Sequence, residues 1–140
     1  MGIRTIIFRG KTEKGEWVYG DLLHPDLYGN GYSIEDFTKG KNNCFDVIPE
    51  TVGQYTGLTD KNGKRIFEGD MIIESDGGMD GIPRKVVWDE YWMQFECPLV
   101  RRHWAYGINS GRLWLMRDRD IEVIGNIHDN PELIGGGEDA

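Results

Sequence analysis

The stretch TGLTDKNGKRIFEGDMIIE, Thr56 to Glu74, decides the fold, because its acids and glycines can be read as a metal loop, a catalytic pair or a set of turns. Asn62-Gly63 is the dipeptide most favoured in two-residue type I′ hairpin turns, since both central positions need positive φ and Asn and Gly accept it at least cost. Beyond it, Ile66, Phe67, Met71, Ile72 and Ile73 surround Gly69-Asp70, where glycine permits a bend or bulge and the carboxylate can accept nearby backbone N–H groups. The run therefore predicts a hairpin and then entry into another strand, similar in pattern to the G-D-x-I/V entry of small SH3-like barrels. Calcium fits poorly. A helix-loop-helix calcium site needs donors at positions 1, 3 and 5 with glycine at 6, whereas Asp60-Lys61-Asn62-Gly63-Lys64 offers glycine at 4 and lysine at 5. Glu68 with Asp70, or Asp89 with Glu90, could flank a substrate as an acid/base pair. A chain with 24 acids produces such neighbours by chance, however, and turn caps or a solvated face account for them.

Towards the N-terminus, IRTIIFRG (Ile3 to Gly10) and EWVYGDLLH (Glu16 to His24) read as two strands joined by the polar turn Lys11 to Gly15. Pro25 ends the pairing, and Asp26 to Ser33 has the composition of an irregular loop. Ser33-Ile34-Glu35-Asp36 fits a capping box, so Ser33 is expected to cap one or two helical turns that carry Phe37 inward and stop by Gly40. Asn43 to Leu58 alternates around Phe45, Val47, Val52 and Tyr55, with Pro49 forcing an edge or a break. The best junction between two lobes lies within Gly53 to Gly57.

Towards the C-terminus, Ser75 to Arg84 is a glycine-rich connection, and KVVWDEYWMQFE (Lys85 to Glu96) is the strongest strand pair, with Asp89-Glu90 at its turn. IEVIGNIHDN (Ile121 to Asn130) reads as a last strand with Gly125 at a bulge or close approach. Asn130-Pro131-Glu132-Leu133-Ile134 reads as a capped helical turn with proline at its first position. The tail from residue 135 to 140 is expected to be disordered. No internal repeat is visible.

The net charge of −8 disfavours nucleic acid and anionic membranes on average. Between Arg101 and Arg119, however, five arginines face one acid, a local +4 that leaves −12 elsewhere. Arg101, Arg102, Arg112, Arg117 and Arg119, with Trp104, Tyr106 and Trp114, are the candidate nucleic-acid or partner contacts, through phosphate pairing and base stacking. The bland alternative packs the aromatics inside and lets the arginines balance the acidic remainder. Cys44 and Cys97 lie far apart and read as two lone buried thiols of a cytosolic protein. No signal segment, myristoylation pattern or membrane-length apolar run is present. His24, His103 and His128 sit in no zinc-ligand spacing. Ser110 lacks a nucleophile elbow, and neither a P-loop nor a strand-linked G-x-G-x-x-G occurs. No catalytic, cofactor or metal residue is assigned.

The segments TVGQYTGLTDKNGKRIFEGDMI, KVVWDEYWMQFE and IEVIGNIHDNPELI, with the opening IIFRGKTEKGEWVYGDLL, resemble the YopX family of phages and prophages of Gram-positive bacteria. The match covers most of the chain, and is weaker over residues 26–45 and 97–119. The resemblance implies a mostly β protein of two small subdomains with a tendency to oligomerise. It supplies no reaction. The residues it shares, Gly57, Asp60, Gly63, Gly69, Asp70, Gly125, Asn126, Asn130 and Pro131, are turn and cap types, and Asn62 joins them from the turn argument. The expectation is thus an all-β chain with an N-terminal hairpin lobe (1–55), a C-terminal SH3-like barrel lobe (56–134) and one or two short helical turns. It is expected to act in the bacterial cytoplasm as a non-enzymatic homo-oligomeric interaction module that contacts a phage or host protein. An accessory nucleic-acid binder is the alternative.

Overall fold

A computed structural model describes residues 2–74, 82–98, 113 and 120–135. The protein is nearly all β, with isolated 3-10 turns and one short helix, α1 (Glu132–Gly135), among the described residues. It forms two compact units, Met1–Gly57 and Leu58–Ala140.

In the first unit β1 (Phe8–Lys11), β2 (Trp17–Leu23), β3 (Ser33–Glu35), β4 (Cys44–Asp46) and β5 (Gly53–Thr59) lie in the spatial order β4-β3-β2-β1-β5. Every pairing in this unit is antiparallel. The sheet curls, because beyond β4 the Ile48 N–H donates to the Lys11 C=O at the end of β1 (2.8 Å). Curling lets alternate residues meet: Val18, Ile34 and Val47 are buried together, with Phe8, Leu22, Tyr32, Phe45 and Val52 packed against them. Gly20 on β2 is compulsory there. A Cβ on it would lie 1.8 Å from the Glu35 carbonyl oxygen of the neighbouring strand.

The helical turn differs from the sequence reading. Ser33 lies in β3, paired with Leu23 on one side and Asp46 on the other. Strand geometry puts Ile34 wholly inside, which a helix start at Ser33 could not do while keeping both ladders. The cap is Asp36, whose Oδ1 accepts from the Thr38 N–H ahead of the 3-10 turn Phe37–Lys39. Phe37 points outward, 67% exposed. The first strand is also shorter than its β-branched sequence suggests: Ile3 is exposed, the ladder with β2 begins at Phe8, and bonding to β5 begins at Ile7, whose C=O accepts from the Tyr55 N–H (2.8 Å).

β5 crosses the division, so its last residues, Leu58 and Thr59, belong to the second unit. There β6 (Arg65–Phe67) follows, then β7 (Asp70–Glu74), flanked by β8 (Arg84–Lys85) and β11 (Ile121–Asn126) in a three-stranded antiparallel sheet, and a hairpin of β9 (Val87–Asp89) with β10 (Gln94–Glu96). Val86 links β8 to β9 and bonds both ways to the start of β7, its N–H to Asp70 C=O and its C=O to Gly69 N–H. Ile66, Ile72, Val86, Cys97, Leu113 and Ile121 form the buried core, with Leu58, Phe95 and Val123 against it.

The turn at Asn62-Gly63 is not the two-residue type expected. Gly63 has φ +83°, but Asn62 does not have positive φ. Gly63 N–H donates to Asp60 C=O (3.0 Å) and Asp60 N–H to Lys64 C=O (2.7 Å), which describes a three-residue loop closed by a left-handed glycine. The first hairpin uses the same device. Gly15 has φ +88°, Gly15 N–H donates to Thr12 C=O, and Thr12 N–H donates to Glu16 C=O. One loop geometry thus recurs in both units without a sequence repeat. Burial separates the cysteines too: Cys97 is buried, but Cys44, expected inside, is exposed.

Candidate interaction surface

The carboxylates of the opening stretch are fastened to backbone. Asp60 is 7% exposed. Its Oδ1 accepts from the Asn62 and Lys64 N–H groups (both 2.9 Å), and its Oδ2 accepts from the Val123 N–H of β11 (3.0 Å). Burial alone would raise its pKa, but the three N–H donors and the Lys64 charge prevail and hold it below the ordinary 3.8. The Lys61 N–H adds a bond to Ile121 C=O, so the turn is stitched along β11. Asp70 is 1% exposed and accepts from the Phe67 N–H at 2.7 Å, spanning the Gly69 bend.

The remaining turn residues behave alike. Gly125 sits at a register shift of β11 against β7, and a Cβ there would lie 2.4 Å from Asn130 Oδ1. That oxygen accepts from the Asn126 N–H, while Asn126 Oδ1 accepts from the His128 and Asp129 N–H groups. Pro131 stands just before α1, and its C=O accepts from the Ile134 N–H. Asn130 therefore braces the end of β11 through its side chain, and α1 follows over Glu132–Gly135. Arg101, Arg102, Trp104, Tyr106, Arg112, Trp114, Arg117 and Arg119 lie outside the described residues, as do Ser75–Gly81 and residues 136–140.

The exposed chemistry lies elsewhere. The β9–β10 pair is joined by a four-residue loop, Glu90 to Met93, longer than the Asp89-Glu90 turn read from sequence. Asp89 Oδ1 accepts from the Tyr91 and Trp92 N–H groups (2.9 and 3.1 Å), and Met93 takes φ +54°. The loop thus lifts aromatics out of the strand. Tyr91 is 83%, Met93 69% and Trp92 59% exposed, and Tyr91 and Trp92 meet edge to face at 5.0 Å. At the base Trp88 packs edge to face on Phe95, which reaches the core. Sequence reading placed these aromatics in a strand. The signal that could have moved them was Asp89, an acid able to cap its own turn. In the first unit Asp26 does the same: its carboxylate accepts from the Tyr28 N–H, the Asn30 N–H and the Asn30 amide, leaving Leu27 and Tyr28 outward.

A family model described as YopX protein matches residues 7–135. The chain belongs to the YopX family. Comparison with curated proteins gave no match. Among solved structures, the crystal structure of protein EF1440 from Enterococcus faecalis is similar, with a TM-score of 0.52 and 21% identity over 94% of this chain and 99% of that one. That similarity extends to the fold. For a YopX protein the shared glycines and acids now have a physical role, since Asp60, Gly63 and Asp70 each shape a turn or bend that the sheet requires. No helix among the described residues is long and apolar enough to cross a membrane.

Proposed function

We propose that this YopX protein is a non-enzymatic interaction module that assembles as a homo-oligomer, with the β9–β10 hairpin as its main anchor. The reading includes a phage or prophage source, an SH3-like second unit and action in the bacterial cytoplasm on a phage or host protein. The observation that carries it is the loop presenting Tyr91, Trp92 and Met93 to solvent on a hydrogen-bonded frame. Exposed aromatics held in one conformation lose little entropy on docking and are favoured at interface centres. Burying Tyr91 and Trp92 is worth on the order of 5 kcal/mol, about the lower end of what association costs. The hairpin therefore anchors a contact and needs further surface to complete it.

Sedimentation velocity at tens of micromolar tests this. Wild-type protein should sediment as a dimer or larger, and Tyr91→Ser with Trp92→Ser should shift it towards monomer with the circular dichroism unchanged. A wild-type monomer would end the oligomer reading.

The alternative, an accessory nucleic-acid binder, draws both its charge and its stacking aromatics, Trp104, Tyr106 and Trp114, from the segment Arg101 to Arg119. Asp89, Glu90 and Glu96 on the hairpin work against phosphate. Oligonucleotide binding that falls steeply with salt, and again when the five arginines become alanine, is what that reading requires.

A further inference from the structure

β4 is the last strand of its sheet, and on its outer side the backbone of Cys44 and Asp46 has no partner among the described residues, the next outward group, Ile48 N–H, being taken by Lys11 C=O (2.8 Å). The ladder with β3 fixes which groups these are. Val47 N–H donates to Tyr32 C=O (3.1 Å), and Asn43 C=O accepts from Asp36 N–H (2.7 Å), so positions 43, 45 and 47 turn their backbone towards β3. Alternation in an antiparallel pair then directs the N–H and C=O of Cys44 and Asp46 to the open side. Such an edge is a template for another strand unless it is covered or blocked. Over Cys44 to Asp46 it is neither, since β4 carries no proline or lysine and both Cys44 and Asp46 are exposed.

Opposite this edge stands the β1–β2 loop. Between them runs an open groove of about 410 Å3, with Phe45 and Thr12 in its wall and Glu13, Lys14, Glu16 and Asp46 around it. The loop is held by its own hydrogen bonds, Thr12 N–H to Glu16 C=O (2.9 Å) and Gly15 N–H to Thr12 C=O (2.9 Å). The groove therefore does not have to be built on binding. Three acids outnumber one lysine around it, and none of the four makes an ion pair among the described residues.

We propose that the β4 edge receives an extended basic peptide segment of a partner protein as an added strand, bonded to the backbone of Cys44 and Asp46. Its Lys or Arg side chains lie against Glu13, Glu16 and Asp46. Main-chain bonds supply the affinity and the acids select the charge, the division of labour usual in strand addition. This names a partner class for an interaction module but uses the other unit, so it stands or falls apart from the hairpin.

The test uses the full chain and two labelled peptides, acetyl-Gly-Arg-Val-Arg-Val-Arg-Gly-amide and its Glu-for-Arg counterpart, followed by fluorescence anisotropy and amide exchange. The basic peptide should bind saturably and slow exchange at Cys44 and Asp46, while the acidic one should not. Cys44→Pro removes an outward N–H and the weak Cys44 Sγ–Ser33 Oγ bond (3.7 Å) but none of the backbone bonds to β3, at a position where an edge strand accepts proline, and should weaken binding roughly tenfold or more. Glu13→Lys with Glu16→Lys changes only exposed loop residues and should abolish the charge preference, so the proposal stays testable if the proline variant fails to fold. Trp92→Ser should leave peptide binding intact. Absence of binding, equal binding of the two peptides, or full binding by the lysine variant would overturn the inference.

Discussion

Asp60 shows what one carboxylate does when its lone pairs are all directed at backbone. The oxygen facing its own turn sets the loop, and the other reaches Val123, 63 positions along the chain. A local residue thus acts as a tertiary clamp. Removing it leaves three N–H groups without their acceptor, one of them in a paired strand, and charge-assisted bonds of this kind are the strong class. Asp60→Ala should therefore cost about 2–4 kcal/mol in urea unfolding, whereas Asp89→Ala, which caps an exposed loop, should cost about 1 kcal/mol. Equal small losses for both would mean that the Val123 bond contributes nothing. Gly20 illustrates a different constraint at the same scale. In the GEWVYG opening, Gly15 serves a turn and Gly20 lies under a neighbouring carbonyl, two unrelated reasons for the same residue type.

At the scale of elements, the two three-residue hairpin loops make a prediction that separates them from type I′ turns. In a type I′ turn both central residues are left-handed and either alanine substitution is strained. Here only Gly63 is left-handed. Asn62→Ala should change stability by about 0.5 kcal/mol or less, and Gly63→Ala should cost about 1–2 kcal/mol, read by urea denaturation. The contrast also explains which parts of the fold could be read from residues. Alternation around Phe45, Val47, Val52 and Tyr55 made the β class legible, because strand periodicity is written in consecutive residues. The loop type at Asn62-Gly63 was not legible, since a glycine in the left-handed region serves two- and three-residue loops alike and the strand register that chooses between them is not local. Ser33 misled for the same reason: its capping-box spacing is local, and the two strands on either side of it are not. The hairpin aromatics were visible as residues but not as a surface, because their exposure depends on where β9 stops.

For the whole molecule, the titrating groups set the limits of stability with pH. Asp36 and Asp60 are each pushed up by burial and brought below 3.8 by the hydrogen bonds they accept, and Asp26 is brought below it chiefly by the Asn30 amide. Carboxylates with a lowered folded pKa contribute stability above the unfolded value and lose it as pH falls, so the acid limb begins near pH 4. Cys97 sets the opposite limb. Burial in the core pushes its thiol from 9.0 up to about 11, against the nearby Arg84 charge, so between those values the unfolded chain releases a proton that the folded chain keeps. Proton release on unfolding favours the unfolded state as pH rises, and stability should fall by about 2 kcal/mol between pH 9 and 11. The informative quantity is a difference between variants. Cys97→Ala should be less stable than wild type at pH 7, by about 1 kcal/mol for the lost core volume, and the gap should close and then reverse by pH 11. A gap that stays constant across the range would show that the Cys97 thiol ionises as readily in the folded protein as in the unfolded chain.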